Sequence, residues 1–226
     1  MSLQGGTGWQ GQAGRFEIVR GWLRPILVVT SVTAVSVYLV SHPLPWPYAV
    51  RDVPLLVPGA LVSLVVGIAL RDRVGRALGG GPAAGATLVF GLGVILAATL
   101  TPLNDSLRGF QATPAGPCHL GRIGPPAWEE LLTVGDTSLN VLLFIPLGAA
   151  IGLLPRSRRR GLVILGAIAL PFVIETIQML VPALKRECES ADVGDNLTGL
   201  LIGVVIGTVA SWLTAMIRRR DTGRAP

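Results

Sequence analysis

The sequence predicts an all-α fold: a polytopic bundle of membrane-spanning helices with about six spans and both termini in the cytoplasm. Three observations carry this expectation. Half of the 226 residues are apolar and only 14% are charged, with a mean hydropathy of +0.61. A soluble domain carries roughly 25% charged residues, so a water-facing surface is not what this composition builds. The apolar residues also fall in blocks of the length needed to cross hydrocarbon, about 20 residues per helix. Finally, the basic residues concentrate in alternate loops.

Taken in order, the blocks cover residues 25–42, 54–70, 86–103, 137–154, 161–182 and 197–217. Residues 1–24 read as a cytoplasmic tail, disordered over its Gly- and Gln-rich start. The first block begins only after Arg24, and no small-x-small cleavage site precedes His42-Pro43, so it reads as an uncleaved signal anchor. The second block is the weakest, being short and opened by Pro54 and Pro58. In a first turn, proline's missing N–H costs least. The sixth block, Leu197 to Ile217, is the strongest because it holds no charge.

Orientation follows from the loops. The tail carries Arg15, Arg20 and Arg24, and the loop after the second block carries Arg71, Arg73 and Arg76. The loop after the fourth carries Arg156, Arg158, Arg159 and Arg160, and the 218–226 tail carries Arg218, Arg219, Arg220 and Arg224. These are 14 of the 19 basic residues; only Arg51, Arg108, Arg122, Lys185 and Arg186 lie in the other loops. The positive-inside rule then puts both termini in the cytoplasm, and six spans satisfy the parity. The net charge of +6 and pI near 10.6 therefore reflect topology and contacts with anionic lipid rather than nucleic-acid binding.

Three loops face outward on this scheme. The first, His42 to Tyr48, is rich in Pro and offers Trp46 and Tyr48 to the interfacial aromatic belt. The second covers about residues 104–136 and the third residues 183–196. The two cysteines, Cys118 and Cys188, both fall in these outer loops. A bridge between them would close a loop of about 70 residues and contribute about 4 kcal/mol. Two free thiols are the alternative. Neither a cofactor nor a metal site is expected: no ligand spacing surrounds the cysteines and His119. Gly79-Gly80-Gly81 lacks the Gly-Lys-Ser/Thr of a phosphate loop.

Polar residues within spans are costly in hydrocarbon and mark candidate sites. The fourth span opens with Asp136-Thr-Ser-Leu-Asn140 and the sixth with Asp192-Val-Gly-Asp195-Asn196. Both are D-x-x-x-N, with Asp and Asn on one helical face. Glycines follow each, Gly148 and Gly152 in one case and Gly199, Gly203 and Gly207 in the other, and such small-xxx-small spacing lets helices approach closely. The fifth span adds Glu175 and Gln178 on one face, with Glu175 about 10 Å from the outer end at 1.5 Å per residue. Asn140, Asn196 and Arg186 are the expected partners of Glu175. The outward-pointing helix starts also admit two uses: Asp136, Asp192 or Asp195 as caps, or an anion held with the help of Arg186. The candidate cluster is thus Asp136, Asn140, Glu175, Gln178, Arg186, Asp192 and Asn196, meeting in the exterior half of the bilayer.

The same residues resemble the VanZ-like membrane proteins, a family named for a teicoplanin-resistance protein. The likeness rests on Asn140-Val-Leu-Leu-Phe-Ile-Pro-Leu-Gly148, Glu175-Thr-Ile-Gln178, Arg186 and Asp192-Val-Gly-Asp-Asn196-Leu-Thr-Gly199, and spans about residues 95–215. It implies a bacterial protein with a four-helix membrane domain at residues 83–217. An additional N-terminal transmembrane hairpin would occupy residues 25–82. It also implies a cell-envelope role in a multi-pass cell-membrane protein, extending to glycopeptide resistance and antibiotic resistance more broadly. The expected partners are the lipid bilayer and a lipid-linked or anionic envelope ligand near the outer leaflet. Two other readings of the cluster stand beside this one. One is a membrane hydrolase or transferase working with two carboxylates. The other is a small proton-coupled transporter relaying through Glu175, although the repeated D-x-x-x-N enters the membrane in the same direction twice, unlike an inverted repeat.

Overall fold

The computed structural model describes residues 53–103, 118–133 and 135–222, with side chains as far as Met216. The expectations for the 1–24 tail, the 25–42 span, Trp46 and Tyr48, and the side chains of the 218–226 tail lie outside the described residues. Within them the chain is helical and contains no β-strand; an isolated bridge joins His119 to Glu189. The helices are α1 (Leu56–Ala77), α2 (Pro82–Thr99), the short α3 (Trp128–Leu132), α4 (Asp136–Leu153), α5 (Arg158–Leu180) and α6 (Ser190–Thr222), with a 3-10 turn at Pro182–Leu184.

Local chemistry sets several of these boundaries. Gly79 takes φ 72, a conformation costly for any side chain. The chain there closes α1 with Gly80 N–H to the Gly75 carbonyl at 2.8 Å and Gly79 N–H to Arg76 at 3.0 Å, a Schellman closure. α2 then starts with Pro82 in its first turn, where no N–H is needed. Ser157 caps α5, its hydroxyl accepting from the Arg160 N–H at 3.2 Å. Pro146 in α4 and Pro171 in α5 are both buried inside the bundle, and each helix continues through its proline. Neighbouring helices make this tolerable in a membrane protein.

Four helices are long and apolar enough to cross a membrane: α2, α4, α5 and the Ser190–Met216 part of α6. α1 covers the expected 54–70 span but continues through Arg71, Asp72, Arg73 and Arg76, and these charges keep it out of that set. The other helices are shifted from the apolar blocks read from sequence, each beginning earlier, while α2, α4 and α5 also end earlier, at Thr99, Leu153 and Leu180. α5 starts at Arg158 rather than 161, and α6 at Ser190 rather than 197. Backbone hydrogen bonding does not stop where hydrocarbon does, so polar first turns remain helical.

Large apolar side chains cover the outside of the helices, among them Leu162, Leu165 and Phe172 on α5 and Leu201, Val205 and Trp212 on α6. A soluble monomer does not expose continuous apolar surface on this scale; lipid is the solvent that suits it. The interior is built around α4, half of whose apolar window is buried inside the chain. Ile95, Phe144, Leu147, Ile151, Ala167, Ile174 and Leu200 form the core between α2, α4, α5 and α6.

The most extensively packed helix pair is α4 with α6, followed by α1 with α2. In the first pair a side chain on Gly199 would meet the Val141 carbonyl, on Gly203 the Ile145 carbonyl, and on Gly207 the Ala149 carbonyl. From the other side, Gly148 and Gly152 abut the Leu200 and Val204 carbonyls. The two glycine series read from sequence are therefore two faces of one seam.

Candidate functional site

The C-terminal ends of α2 and α5 and the N-terminal ends of α4 and α6 meet at one end of the bundle. A disulfide between Cys118 and Cys188, with Cα atoms 4.7 Å apart, ties the segment before α3 to the segment before α6. His119 N–H donates to the Cys188 carbonyl at 2.8 Å, and Ser190 N–H returns to the His119 carbonyl at 3.1 Å. Gly194 sits so close to Gly124 that a side chain there would meet the Gly124 carbonyl, which lays this segment across the first turns of α6.

On α5, Glu175 and Gln178 are both buried, at 5% exposure. Gln178 Nε2 donates to the Thr99 carbonyl at 3.1 Å, and Arg186 donates to the carbonyls of Thr101, at 3.4 Å, and of Ala98. The last carbonyls of a helix lack intrahelical donors and carry partial negative charge. Gln178 and Arg186 thus cap the end of α2, a structural use for two residues placed in the candidate cluster. Glu175 Oε2 accepts from the Glu189 backbone N–H at 2.9 Å. Glu175 thus has a main-chain donor, with Arg186, one of its expected partners, among its charged neighbours together with Asp192 and Glu189. A backbone N–H delivered by the loop carries no residue-type signal, which is why the sequence did not point to it.

On α6, Asp192 is half-buried. The Asn140 amide of α4 is its hydrogen-bonding neighbour, and Asp136, Glu189 and Asp195 are the carboxylates facing it. The two D-x-x-x-N segments are therefore side by side. Neither Asp136 nor Asp192 caps its helix. Gly135 precedes α4, with its N–H and carbonyl both bonded to the Ser138 hydroxyl, at 3.1 and 3.0 Å. Asp136 and Asp192 stand instead in the first turns of α4 and α6, where a negative charge complements the helix dipole.

One turn deeper, Asp195 and Asn196 are almost wholly enclosed, at 1% and 2% exposure. Asp195 Oδ1 accepts from the Arg122 guanidinium at 2.6 Å, and Arg122 also donates to the Gly124 carbonyl at 2.8 Å and lies 3.7 Å from Glu130. Asn196 Oδ1 is buried without a hydrogen-bond partner among the described residues, and Asp195 Oδ2 makes no close hydrogen bond there, although the Thr137 hydroxyl of α4 lies beside the carboxylate. Buried polar atoms are nearly always satisfied, and an orphan costs about 1–3 kcal/mol. Two adjacent acceptors left short of close donors therefore mark a place where a further hydrogen-bond donor fits.

Arg122 is the contributor that sequence patterns missed: it lies in a loop, 73 residues from Asp195, and only the fold brings them together. Asp195 was legible as part of the second acidic motif, but not as its most deeply buried member. Among the described residues no group of His, Cys, Asp and Glu could hold a metal ion. Chemically, the cluster can accept hydrogen bonds and hold protons or positive charge.

A family model described as VanZ/LLP1 matches residues 88–211, which contain every residue of the cluster. No curated protein and no solved structure matches the chain.

Proposed function

The chain belongs to the VanZ/LLP1 family, and on that premise we propose that it is a multi-pass cell-membrane protein that binds a cell-envelope component at the outer leaflet through Glu175, Asp192, Asp195 and Asn196. The observation that carries this reading is the pair of under-satisfied buried acceptors, Asn196 Oδ1 and Asp195 Oδ2, set one turn inside the carboxylates of Asp136, Glu189 and Asp192 at the end of the bundle. A ligand that presents hydroxyl or amine donors supplies what these atoms lack. Arg186 faces the α2 carbonyls, so the cluster favours donors over a bare anionic headgroup.

The outer location draws its support from two sources. The excess of Arg in alternate loops argues for six spans with cytoplasmic termini, and a Cys118–Cys188 bridge suits an oxidising exterior. Within this reading, resistance to glycopeptides such as teicoplanin follows when the bound component is the one the antibiotic must reach. The test is expression in a teicoplanin-sensitive host, together with native mass spectrometry of purified protein incubated with envelope lipid extract. Wild type should raise the inhibitory concentration and retain an extract component. Glu175→Gln and Asn196→Ala should lose both while reaching the membrane in normal amounts. Variants that match wild type in both assays would overturn the proposal.

A further inference from the structure

Apart from the lipid-facing belt of the spans, the segment before α4 exposes its own apolar surface. Leu120 is 83% exposed, Ile123 87%, Trp128 69% and Leu132 70%. Trp128 and Leu132 are the first and last residues of α3, four apart and so on one face of it. The rest of the segment is held to the bundle: Cys118 is bonded to Cys188, the Ser190 hydroxyl donates to the Arg122 carbonyl at 3.3 Å, and Arg122 reaches both Asp195 and Glu130.

We propose that residues 120–132 form an interfacial foot that inserts Leu120, Ile123, Trp128 and Leu132 into the headgroup–acyl boundary of the adjacent leaflet. Position fixes the partner as lipid. Leu132 is four residues before Asp136, where a spanning helix begins, and Arg122 is ion-paired to the sixth residue of another spanning helix. Anchored at both points, the segment is held at the ends of two spanning helices, the level at which hydrocarbon gives way to headgroups. An amphipathic Trp at that height is at its preferred depth. The charges of the segment, Arg122, Glu129 and Glu130, include no basic run. Insertion is accordingly driven by apolar burial and does not call on anionic lipid, in contrast to polybasic surface binding.

The test reads Trp128 directly, as the emission difference between wild type and Trp128→Phe in full-length protein reconstituted into phosphatidylcholine vesicles. That difference signal should be blue-shifted and resist acrylamide. Lipids brominated near the carbonyl end of the chain should quench it more than lipids brominated near the methyl end. Ile123→Trp in the Trp128→Phe background should repeat the pattern, and adding phosphatidylglycerol should leave it unchanged. Quenching by acrylamide but not by brominated lipid would overturn the proposal by placing the face in water. Protection from both quenchers would overturn it in favour of protein cover, from residues 104–117 or a second copy of the chain. Insertion that depends on phosphatidylglycerol would overturn it as an apolar contact.

Discussion

Asp195 divides its two oxygens unequally: one meets the Arg122 guanidinium at 2.6 Å and the other makes no close hydrogen bond among the described residues, with the Thr137 hydroxyl beside the carboxylate. A carboxylate at 1% exposure without its counter-charge is expensive, because desolvation is not offset. Arg122→Gln should therefore destabilise the protein by about 2 kcal/mol, less than the roughly 3–5 for a fully buried pair because the Arg122 side chain keeps 27% of its exposure. Arg122→Gln combined with Asp195→Asn should recover part of the loss, since the stranded charge is gone. Thermal unfolding in detergent, followed by size-exclusion fluorescence, measures both; a double variant no better than the single one would refute the coupling. Glu175 invites a different comparison. Its hydrogen bond comes from a main-chain N–H, which Glu175→Gln can still meet through its carbonyl oxygen, so that substitution tests charge with little loss of fold.

The α4–α6 seam decides how the site is assembled at the level of whole elements. Five glycines let carbonyls of one helix pass where side chains would stand on the other. In lipid, helix association relies on such close packing because no water is expelled to drive it. Gly203→Leu would place its side chain against the Ile145 carbonyl and separate the helices, at a cost of about 3 kcal/mol or more, since backbone on both sides cannot yield. Gly166, on α5, has open space around it, and Gly166→Ala should leave stability within about 1 kcal/mol of wild type or raise it. Equal effects from the two substitutions would show that the seam does not hold the bundle. Because Asp192 and Asn140 meet just above the seam, Gly203→Leu should also abolish function without touching any polar residue.

For the molecule as a whole, the disulfide and the distribution of Arg make a joint prediction. The Cys118–Cys188 bridge, across 70 residues, closes the end of the bundle on which the polar cluster lies, and it should contribute up to about 4 kcal/mol by restricting the unfolded chain. Reductant, or Cys118→Ser, should lower the unfolding temperature and change mobility on a non-reducing gel. An exported phosphatase fused within residues 119–127 should be active, and a fluorescent protein fused after Pro226 should fluoresce in the cytoplasm. Activity on the opposite sides would invert the topology and remove the cluster from the outer leaflet.

Composition and short-range pattern were enough for the membrane class, the helical character of every described block and the family likeness, and they named the polar residues of α4, α5 and α6. These follow from composition and short-range spacing: hydrocarbon rejects charge over about 20 consecutive residues, and i, i+4 periodicity places Asp192 with Asn196 whatever surrounds them. The partners of those polar groups came from packing. It gave Gln178 and Arg186 to the end of α2, gave Glu175 a main-chain donor, and brought Arg122 across 73 residues to Asp195. Hydrogen bonds are made by atoms at about 3 Å, and distance between atoms so far apart in the chain is a property of packing that no local pattern encodes.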